Sequence, residues 1–345
     1  MSQIKLSIIV PCYKVEKYLP DCLDSLLSQT LEDIELVCIN DGSPDNCLKI
    51  LQSYKERYND RIVLIDKENE GVWKARIDGI AQAHGEYIGF ADPDDSVAPE
   101  YARKLYEAAI KNNADVACCG YERMDENSQR VYSREMTRFG YRTFDIQREY
   151  GMMLEVNTAP WNKIFRSDIL KNIRTLEHIP PALDDMLFAQ LIYMDTGIIT
   201  FIPDLLIKYR VRQDSIINTI NNDLVPPIYD SMRELREIFS TDRSEMLPYI
   251  DALAFLHLGI SLMYRLYTGT GSDFDNILDS NTRFLDECFP TWRKNPYIRL
   301  SYVLKHKGVG NKLWIISMIY RFRLFKLFLR AYTSMIRLFK IDIKW

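Results

Sequence analysis

The sequence lacks the short motifs that would place it in several common classes of protein. It contains neither G-x-x-x-x-G-K-[ST] nor G-x-G-x-x-G, so neither a P-loop nor a dinucleotide fingerprint is indicated. Its seven cysteines include no C-x-x-C pair and its four histidines are scattered, which argues against a zinc site or a disulfide framework. Free thiols are typical of a reducing cytoplasm, and we expect the protein there.

Membrane-spanning and secretory patterns are also missing. No uninterrupted apolar run reaches the roughly 18–20 residues that cross a bilayer. The N-terminus carries a short apolar stretch that ends at Pro11, without the small-residue cleavage site of a signal peptide. We therefore expect neither a transmembrane segment nor a cleaved leader.

The composition is that of an ordinary globular protein, but the charge is unevenly distributed. The 345 residues are 47% hydrophobic and 27% charged, which disfavours disorder and coiled coil. The formal net charge is −4, yet residues 301–345 hold ten Lys or Arg residues and one Asp. An acidic body joined to a basic tail predicts that the tail meets an anionic partner.

The first 120 residues alternate between strand-like and helix-like patterns. The compact apolar runs that predict strands are 6–10, 34–40, 62–65, 86–91 and 116–119. The stretches with helical spacing are 15–27, 48–54, 72–84 and 102–112. Buried strands interleaved with helices predict the α/β class, with a mostly parallel, doubly wound sheet. Residues 222–300 are helical in pattern, so we expect a mainly helical C-terminal region.

Polar residues follow three of the predicted strands, at the edge where doubly wound sheets bind ligands. They are Tyr13, the segment Asp41-Gly42-Ser43 and the segment Asp92-Pro93-Asp94-Asp95. Asp, Gly and Pro also punctuate ordinary turns, which is the alternative for each segment taken alone. Three such ends on one edge favour a binding site.

Two acidic pairs are candidates for chemistry. Asp92 and Asp94 supply hard oxygen ligands of the kind that Mg²⁺ and Mn²⁺ prefer beside a phosphate. Asp184 and Asp185 precede a helical pattern, where they serve either as simple first-turn carboxylates or as a general base. The local sequence leaves both interpretations of the second pair open.

Several motifs, in this order, resemble those of the inverting nucleotide-sugar glycosyltransferases of family 2, of the capsule, exopolysaccharide and cell-wall type. The resemblance covers residues 4–220 and implies the GT-A fold. Its segments are Ile8-Ile9-Val10-Pro11-Cys12-Tyr13-Lys14, Asn40-Asp41-Gly42-Ser43, Asn69-Glu70-Gly71 with Ala75-Arg76, Phe90-Ala91-Asp92-Pro93-Asp94-Asp95, Pro160-Trp161-Asn162-Lys163-Ile164-Phe165 and Leu183-Asp184-Asp185-Met186-Leu187-Phe188.

This resemblance implies a nucleotide site along the sheet edge. Pro11 and Tyr13 would line the base pocket, and Asp41 would accept a hydrogen bond from N3–H of uracil. Arg76 would lie near the nucleotide, and Asp92 would contact the ribose or the metal shell.

The resemblance also implies the reacting groups. Asp94 would bind Mn²⁺ or Mg²⁺, and Asp185 would be the catalytic base. The residues on the acceptor or diphosphate side would be Trp161, Asp184, Arg210 and Arg212. The implied reaction moves a hexose or N-acetylhexosamine from a UDP-sugar to a hydroxyl of a saccharide or lipid-linked acceptor, with inversion, in surface polysaccharide synthesis. The alternatives are a sugar-1-phosphate nucleotidyltransferase and a non-catalytic scaffold.

We expect three regions: a catalytic domain over 1–220, a helical region over 221–300 and a basic amphipathic tail over 301–345. Apolar and basic residues alternate from Lys312 to Lys344, which predicts one or two amphipathic helices on an anionic membrane surface, at its cytoplasmic face. The alternative is a helix pair packed on the catalytic domain or on a second copy of the chain. Nucleic acid is not an expected partner, because the body is acidic and the tail is rich in aliphatic residues.

Overall fold

The computed structural model describes residues 3–127, 129–180, 182–212, 221–269, 274–306 and 308–339, with only the backbone of 269 and 337–339. The chain forms two compact units. The first comprises Met1–Arg148, Asn157–Thr175 and Asp184–Gln213, and the second comprises Glu149–Val156, Leu176–Leu183 and Asp214–Trp345. Two short segments within the predicted catalytic region, 149–156 and 176–183, thus belong to the second unit.

A single mixed sheet forms the centre of the first unit. In the described residues it has ten strands: β1 (Leu6–Cys12), β2 (Ile34–Asp41), β3 (Ile62–Lys67), β4 (Tyr87–Phe90), β5 (Ser96–Val97), β6 (Val116–Met124), β7 (Val131–Glu135), β8 (Arg142–Asp145), β9 (Lys163–Arg166) and β10 (Ile198–Arg210). Their order is β3-β2-β1-β4-β9-β6-β10-β5, with β7 beside β6 and β8 beside β10.

The half of the sheet built from β3, β2, β1 and β4 is parallel throughout. Every residue of β1 and β2 is buried, which is expected when helices cover both faces of a parallel sheet. In the other half, β6 and β10 are parallel, and β9 runs antiparallel to both β4 and β6. The predicted strands and the α/β class are confirmed, with antiparallel pairs added by residues after 120.

The helices of the first unit alternate with its strands as far as β4 and less regularly after it. They are α1 (Leu19–Leu27), α2 (Cys47–Arg57), α3 (Val72–Gln82), α4 (Tyr101–Lys111), α5 (Ser167–Lys171) and α6 (Asp184–Tyr193). In α1 the apolar side chains recur at helical spacing, and Leu19, Leu23 and Leu26 are fully buried. The helices confirm the four predicted from the first 120 residues.

Parallel pairing brings three strand ends to one edge of the sheet. Strand β1 lies between β2 and β4, and all three run in the same direction. The segments that follow them begin at Tyr13, Gly42 and Ala91. The polar residues singled out in the sequence therefore share one edge, because carboxyl ends of parallel strands meet there.

The second unit is helical in its described residues. Its helices are α7 (Val225–Asp242), α8 (Leu247–Ala254), α9 (Met263–Gly269), α10 (Phe274–Cys288), α11 (Leu300–Lys305), α12 (Val309–Arg321) and α13 (Phe325–Phe339), with a π-helical stretch at Phe255–Leu262. The short 3₁₀ segments of the two units are Asn59–Arg61, Thr137–Phe139, Tyr150–Glu155, Asn222–Leu224, Ser244–Met246 and Trp292–Lys294.

The predicted amphipathic tail contains two of these helices, α12 and α13. The ring of Tyr320 stacks on Phe325 at 4.3 Å and meets Phe255 and Trp292 edge-on. The Tyr320 hydroxyl donates a hydrogen bond to the Gly259 carbonyl. One side of the tail is thus core of the second unit, a packing that neither the membrane interpretation nor its alternative had specified. Residues 340–345 lie outside the described part.

One helical stretch, Ser244–Thr268, is long and apolar enough to cross a membrane by length and composition. Of its most apolar window, 78% is buried in the protein, and core helices of soluble proteins pass the same test. It is not an uninterrupted apolar run, because Glu245, Asp251 and Arg265 lie within it. All seven cysteines are free thiols, and six of them are buried.

Candidate active site

Three carboxylates gather in the turn that follows β4. Oxygen atoms of Asp92, Asp94 and Asp95 all lie within 4.8 Å of one another. Asp95 Oδ1 accepts a hydrogen bond from the Arg210 backbone N–H at 2.7 Å, whereas its buried Oδ2 has no hydrogen-bond partner among the described residues. An orphaned carboxylate oxygen beside two more carboxylates is a donor set that suits Mg²⁺ or Mn²⁺.

The protonation of this cluster reflects its surroundings. Burial, together with the charges of Asp185 and Asp94, raises the pKa of Asp92 to about 8, while Arg76 opposes the shift. Burial and the neighbouring charges of Asp94 and Asp92 also raise the pKa of Asp95. A divalent cation would favour the ionised forms of these carboxyls, because it replaces like-charge repulsion by attraction.

Two arginines at the end of β10 brace this turn. Arg210 Nε donates to the Asp94 carbonyl oxygen at 2.8 Å, and its Nη1 donates to the Glu126 carbonyl oxygen at 2.5 Å. Arg212 Nε lies 3.1 Å from Asp94 Oδ2, and both guanidinium groups lie over the Tyr18 ring. In this conformation Arg210 holds the backbone of the turn at Asp94, and Arg212 pairs with the Asp94 carboxylate.

A buried arginine, Arg76, pairs with both Asp184 and Asp185. Arg76, on α3, is only 3% exposed, and its Nη2 lies 2.6 Å from Asp185 Oδ1. Its Nη1 donates to Asp184 Oδ2 at 3.2 Å. Burial and the charge of Asp185 raise the pKa of Asp184 to about 6 against the opposing effect of Arg76. Since Asp185 and Asp94 are the strongest charged neighbours of Asp92, the two acidic pairs share one electrostatic site.

Aromatic packing fixes the helix that carries Asp184 and Asp185. The Phe188 ring meets Trp73 edge-on at 5.2 Å and Phe90 edge-on at 5.6 Å. The Arg76 guanidinium also lies 5.6 Å from the Phe188 ring centre. The first turn of α6 is therefore held against α3 and the end of β4.

The strand ends near Asp41 form a separate, tightly bonded part of the same edge. The Asp41 carboxylate accepts the backbone N–H groups of Glu70 at 3.0 Å and Gly71 at 2.9 Å, at the start of α3. Gly42 has φ +61, and a Cβ there would lie 2.6 Å from the Asn69 nitrogen. The buried Asp41 carboxylate thus binds backbone N–H groups, and each of its oxygens can accept one more hydrogen bond.

The predicted base pocket has one buried and one exposed residue. Pro11 lies within the fully buried strand β1, and Tyr13 directly after it is exposed. The Lys14 backbone N–H donates to Ser43 Oγ at 2.8 Å, which ties the loop after β1 to the loop after β2. The exposed ring of Tyr13 therefore lies next to the point where a hydrogen bond connects these two loops.

Trp161 is less open than a wall of an acceptor pocket would be. Its ring is buried, stacks on Tyr209 at 5.1 Å and meets Tyr121 edge-on at 4.6 Å. The structure thus brings together Arg76, the acidic residues Asp92, Asp94, Asp184 and Asp185, and Arg212, and leaves Trp161 in an aromatic cluster. Its role toward an acceptor stays a prediction.

Three roles were missed by sequence reasoning. Asp95 stands in the motif after β4 without a role of its own, yet its buried Oδ2 has no hydrogen-bond partner in the described part of the chain. Lys163 is fully buried and donates to the Asn157 and Ala159 carbonyl oxygens and to two amide side chains. The pairing of Arg76 with Asp184 and Asp185 joins residues 108 and more positions apart, and no sequence spacing indicates it.

Comparison with known proteins supports this assembly of motifs. Residues 7–174 match the family model described as glycosyl transferase family 2. The glycosyltransferase GlyG of Streptococcus pneumoniae is 30% identical over 228 residues, which are 64% of this chain and 74% of that protein. The poly(ribitol-phosphate) beta-glucosyltransferase of Bacillus spizizenii is 29% identical over 67% of this chain and 36% of its own length.

The fold also resembles a solved structure. The crystal structure of S. aureus TarS 1-349 in complex with UDP-GlcNAc has a TM-score of 0.67 and 20% identity, covering 92% of this chain and 91% of that chain. The chain spans only about a third of the length of the first curated relatives it matches. The predicted GT-A fold and enzyme class are confirmed at the level of the family, which disfavours the nucleotidyltransferase alternative. On these matches, the chain belongs to glycosyl transferase family 2.

Proposed function

We propose that the protein is a metal-dependent, inverting glycosyltransferase that moves a hexose or N-acetylhexosamine from a UDP-sugar to a hydroxyl of a saccharide or lipid-linked acceptor, in surface polysaccharide synthesis. The observation that carries the proposal is that Phe188 of α6 packs on Phe90 at the end of β4, so the helix that begins with Asp184 and Asp185 lies at the turn that holds the carboxylates of Asp92, Asp94 and Asp95. A metal-type carboxylate cluster and a separate candidate base thereby meet in one site, which the displacement requires.

The donor side would be formed by the sheet edge. Tyr13 presents an exposed ring on which a base can stack, and Asp41 keeps acceptor capacity for an imide N–H. The binding of UDP-GlcNAc by TarS supports a UDP-sugar as donor. Arg212 would bind the diphosphate of the donor. Arg210 could join it only after breaking its present hydrogen bond to the Asp94 carbonyl oxygen.

Asp94, with Asp92 and Asp95 beside it, would hold Mn²⁺ or Mg²⁺. Such an ion, when bound, supplies charge neutralisation for a departing nucleoside diphosphate. Asp185 would accept the proton of the acceptor hydroxyl as that oxygen attacks the anomeric carbon. Attack on the face opposite the leaving UDP inverts the configuration, so an α-linked donor yields a β-linked product.

The partner on the second unit would be an anionic membrane surface. At the corner between α12 and α13, Phe322 is 64% exposed, Leu324 47% and Leu327 62%. We call these three residues the apolar corner. The exposed basic residues around it are Arg321, Arg323, Lys326 and Arg330. Apolar side chains ringed by cations fit the interface of an anionic bilayer, at the cytoplasmic face where lipid-linked acceptors would be met.

A thermal-shift panel of nucleotide sugars with Mn²⁺ tests the donor assignment. A ligand at a hundred times its Kd stabilises the fold by about 2.7 kcal/mol, so a true donor raises Tm measurably. We expect stabilisation by UDP-sugars that depends on Mn²⁺, and release of UDP on incubation. Stabilisation by GDP- or CDP-sugars alone would overturn the donor assignment, and binding without any turnover would favour the non-catalytic scaffold.

A further inference from the structure

The resemblance implies that Arg76 lies near the nucleotide, but in the structure its guanidinium pairs with two carboxylates. Its Nη2 lies 2.6 Å from Asp185 Oδ1 and its Nη1 lies 3.2 Å from Asp184 Oδ2. The side chain is 3% exposed, so these two carboxylates receive its terminal nitrogens inside the protein.

The geometry of this contact restrains both aspartates at once. A guanidinium is planar and rigid, so two carboxylates bonded to its two terminal nitrogens have a fixed separation and orientation. Phe188 restrains Arg76 in turn, because its ring centre lies 5.6 Å from the guanidinium. The same ring packs on Trp73, which belongs to α3, the helix that carries Arg76. The orientation of Asp185 is therefore set from α3 as well as from its own helix.

Arg76 also compensates the negative charge of the carboxylates that surround it. The carboxyls that interact with its charge are Asp185, Asp184 and Asp92, in that order of strength. Asp94 adds a further negative charge beside Asp92, and the charge of buried Lys163 also interacts with Asp185. Removing Arg76 would leave the acidic residues facing one another with less compensation.

We propose that Arg76 is the positioning residue of Asp185, holding the carboxylate in its reactive orientation, rather than a ligand of the nucleotide. The inference rests on the proposed function, because it assumes that Asp185 is the base. Misplacing a reacting group by about 1 Å can cost about 10²-fold in rate, which sets the size of the expected effect.

The test compares Arg76→Lys and Arg76→Gln with the native chain, using UDP-sugar turnover and the calorimetric affinity for UDP with Mn²⁺. Lysine keeps the charge but cannot bridge two carboxylates as a planar fork, so we expect kcat to fall about 10-fold. Glutamine removes the charge as well as the second pair of donors, and we expect kcat to fall about 10²-fold. The Kd for UDP should stay within about twofold in both variants.

Arg166→Lys is the matched control. Arg166 lies outside the site, where its Nε is 3.2 Å from Asp115 Oδ1, so this variant should have the native kcat. If Arg76→Gln does not fold, Arg76→Lys alone decides by its split between kcat and Kd. A weakened Kd for UDP with retained kcat would overturn the inference in favour of a nucleotide ligand. A lowered Tm with unchanged kcat would reduce Arg76 to a structural role. Asp185→Asn in the same assay separates the two proposals, because full turnover there would refute the proposed base itself.

Discussion

Arg212 Nε lies 3.1 Å from Asp94 Oδ2, so the carboxylate proposed to bind the metal already has a cationic neighbour. Both side chains are 20% exposed, which makes this a partly buried ion pair. A divalent cation that binds Asp94 must compete with the guanidinium for the same oxygen. Metal binding and the position of Arg212 are thereby coupled.

Arg212→Met should therefore tighten Mn²⁺ binding in the absence of nucleotide. A partly buried pair of this kind is worth about 1 kcal/mol, which corresponds to about a fivefold change in Kd for the metal. Calorimetric titration with Mn²⁺ measures it. Asp94→Asn is the opposite case and should lose Mn²⁺-dependent binding of UDP, whereas Glu107→Gln on the exposed face of α4 should change neither. An unchanged or weaker Mn²⁺ affinity in Arg212→Met would contradict the competition.

Asp185→Asn should reduce turnover without removing the donor site. The amide is nearly isosteric with the carboxylate but accepts no proton, and general-base assistance is typically worth about 10²–10⁴-fold. We expect kcat to fall by at least 10²-fold while the Kd for UDP with Mn²⁺ changes little. Asp168→Asn, an exposed first-turn carboxylate of α5, is the matched control and should retain full turnover. Wild-type kcat in Asp185→Asn would exclude it as the base.

The stability of the metal-free protein should fall as the pH rises. The pKa of Asp92 is raised from 3.8 to about 8 and that of Asp184 to about 6, chiefly by burial. The folded state then binds more protons than the unfolded state between about pH 4 and 8, so unfolding becomes easier with increasing pH in that window. Because Asp92 and Asp184 are partly exposed, we expect a loss of about 1–2 kcal/mol rather than the full value of the shifts.

Thermal unfolding from pH 5 to pH 8.5 measures this dependence. Asp92→Asn should flatten the decline, because the amide has no proton to lose. Saturating Mn²⁺ should also remove it, since a bound cation favours the ionised carboxyls and its affinity rises with pH. A Tm that is the same at pH 5.5 and pH 8, in the native chain without metal, would show that these carboxyls are ionised throughout.

The limits of sequence reasoning follow from which contacts are local. Strand β1 could be predicted because its apolar residues are consecutive, and the shared edge of Tyr13, Asp41 and Asp92 followed from parallel pairing alone. The local sequence singled out Asp184 and Asp185, and the resemblance implied that Asp185 is the base. Neither indicated that both pair with Arg76, because packing of α3 on α6 decides that contact.

Burial was the other quantity that the sequence did not provide. Trp161 has the chemistry of a sugar platform, yet Tyr121 and Tyr209 cover its ring. Asp41 has the chemistry of an imide acceptor, and it also serves two backbone N–H groups of the loop before α3. The alternation of apolar and basic residues in the tail predicted two-sided helices, but only tertiary packing determined which side is core.

Point substitutions at the apolar corner test membrane association better than deletion of the tail does. Deleting residues 301–345 would remove Leu313, Ile316 and Tyr320 from the core of the second unit, so loss of binding would be confounded with unfolding. Phe322→Ser with Leu327→Ser changes only exposed side chains. Inserting one such side chain into a bilayer interface is worth at least about 1.4 kcal/mol, so we expect about a tenfold or greater loss of partitioning.

Flotation with vesicles of phosphatidylglycerol and phosphatidylcholine measures the effect. The native chain should float with the anionic vesicles, bind less at high salt because screening weakens the attraction, and bind little to phosphatidylcholine alone. Leu304→Ser, at a residue of α11 that is 73% exposed and lies outside the corner, is the matched control and should float as the native chain does. Equal flotation of the double variant and the native chain would show that the apolar corner does not insert, whereas self-association that the double variant abolishes would assign the corner to a second copy of the chain.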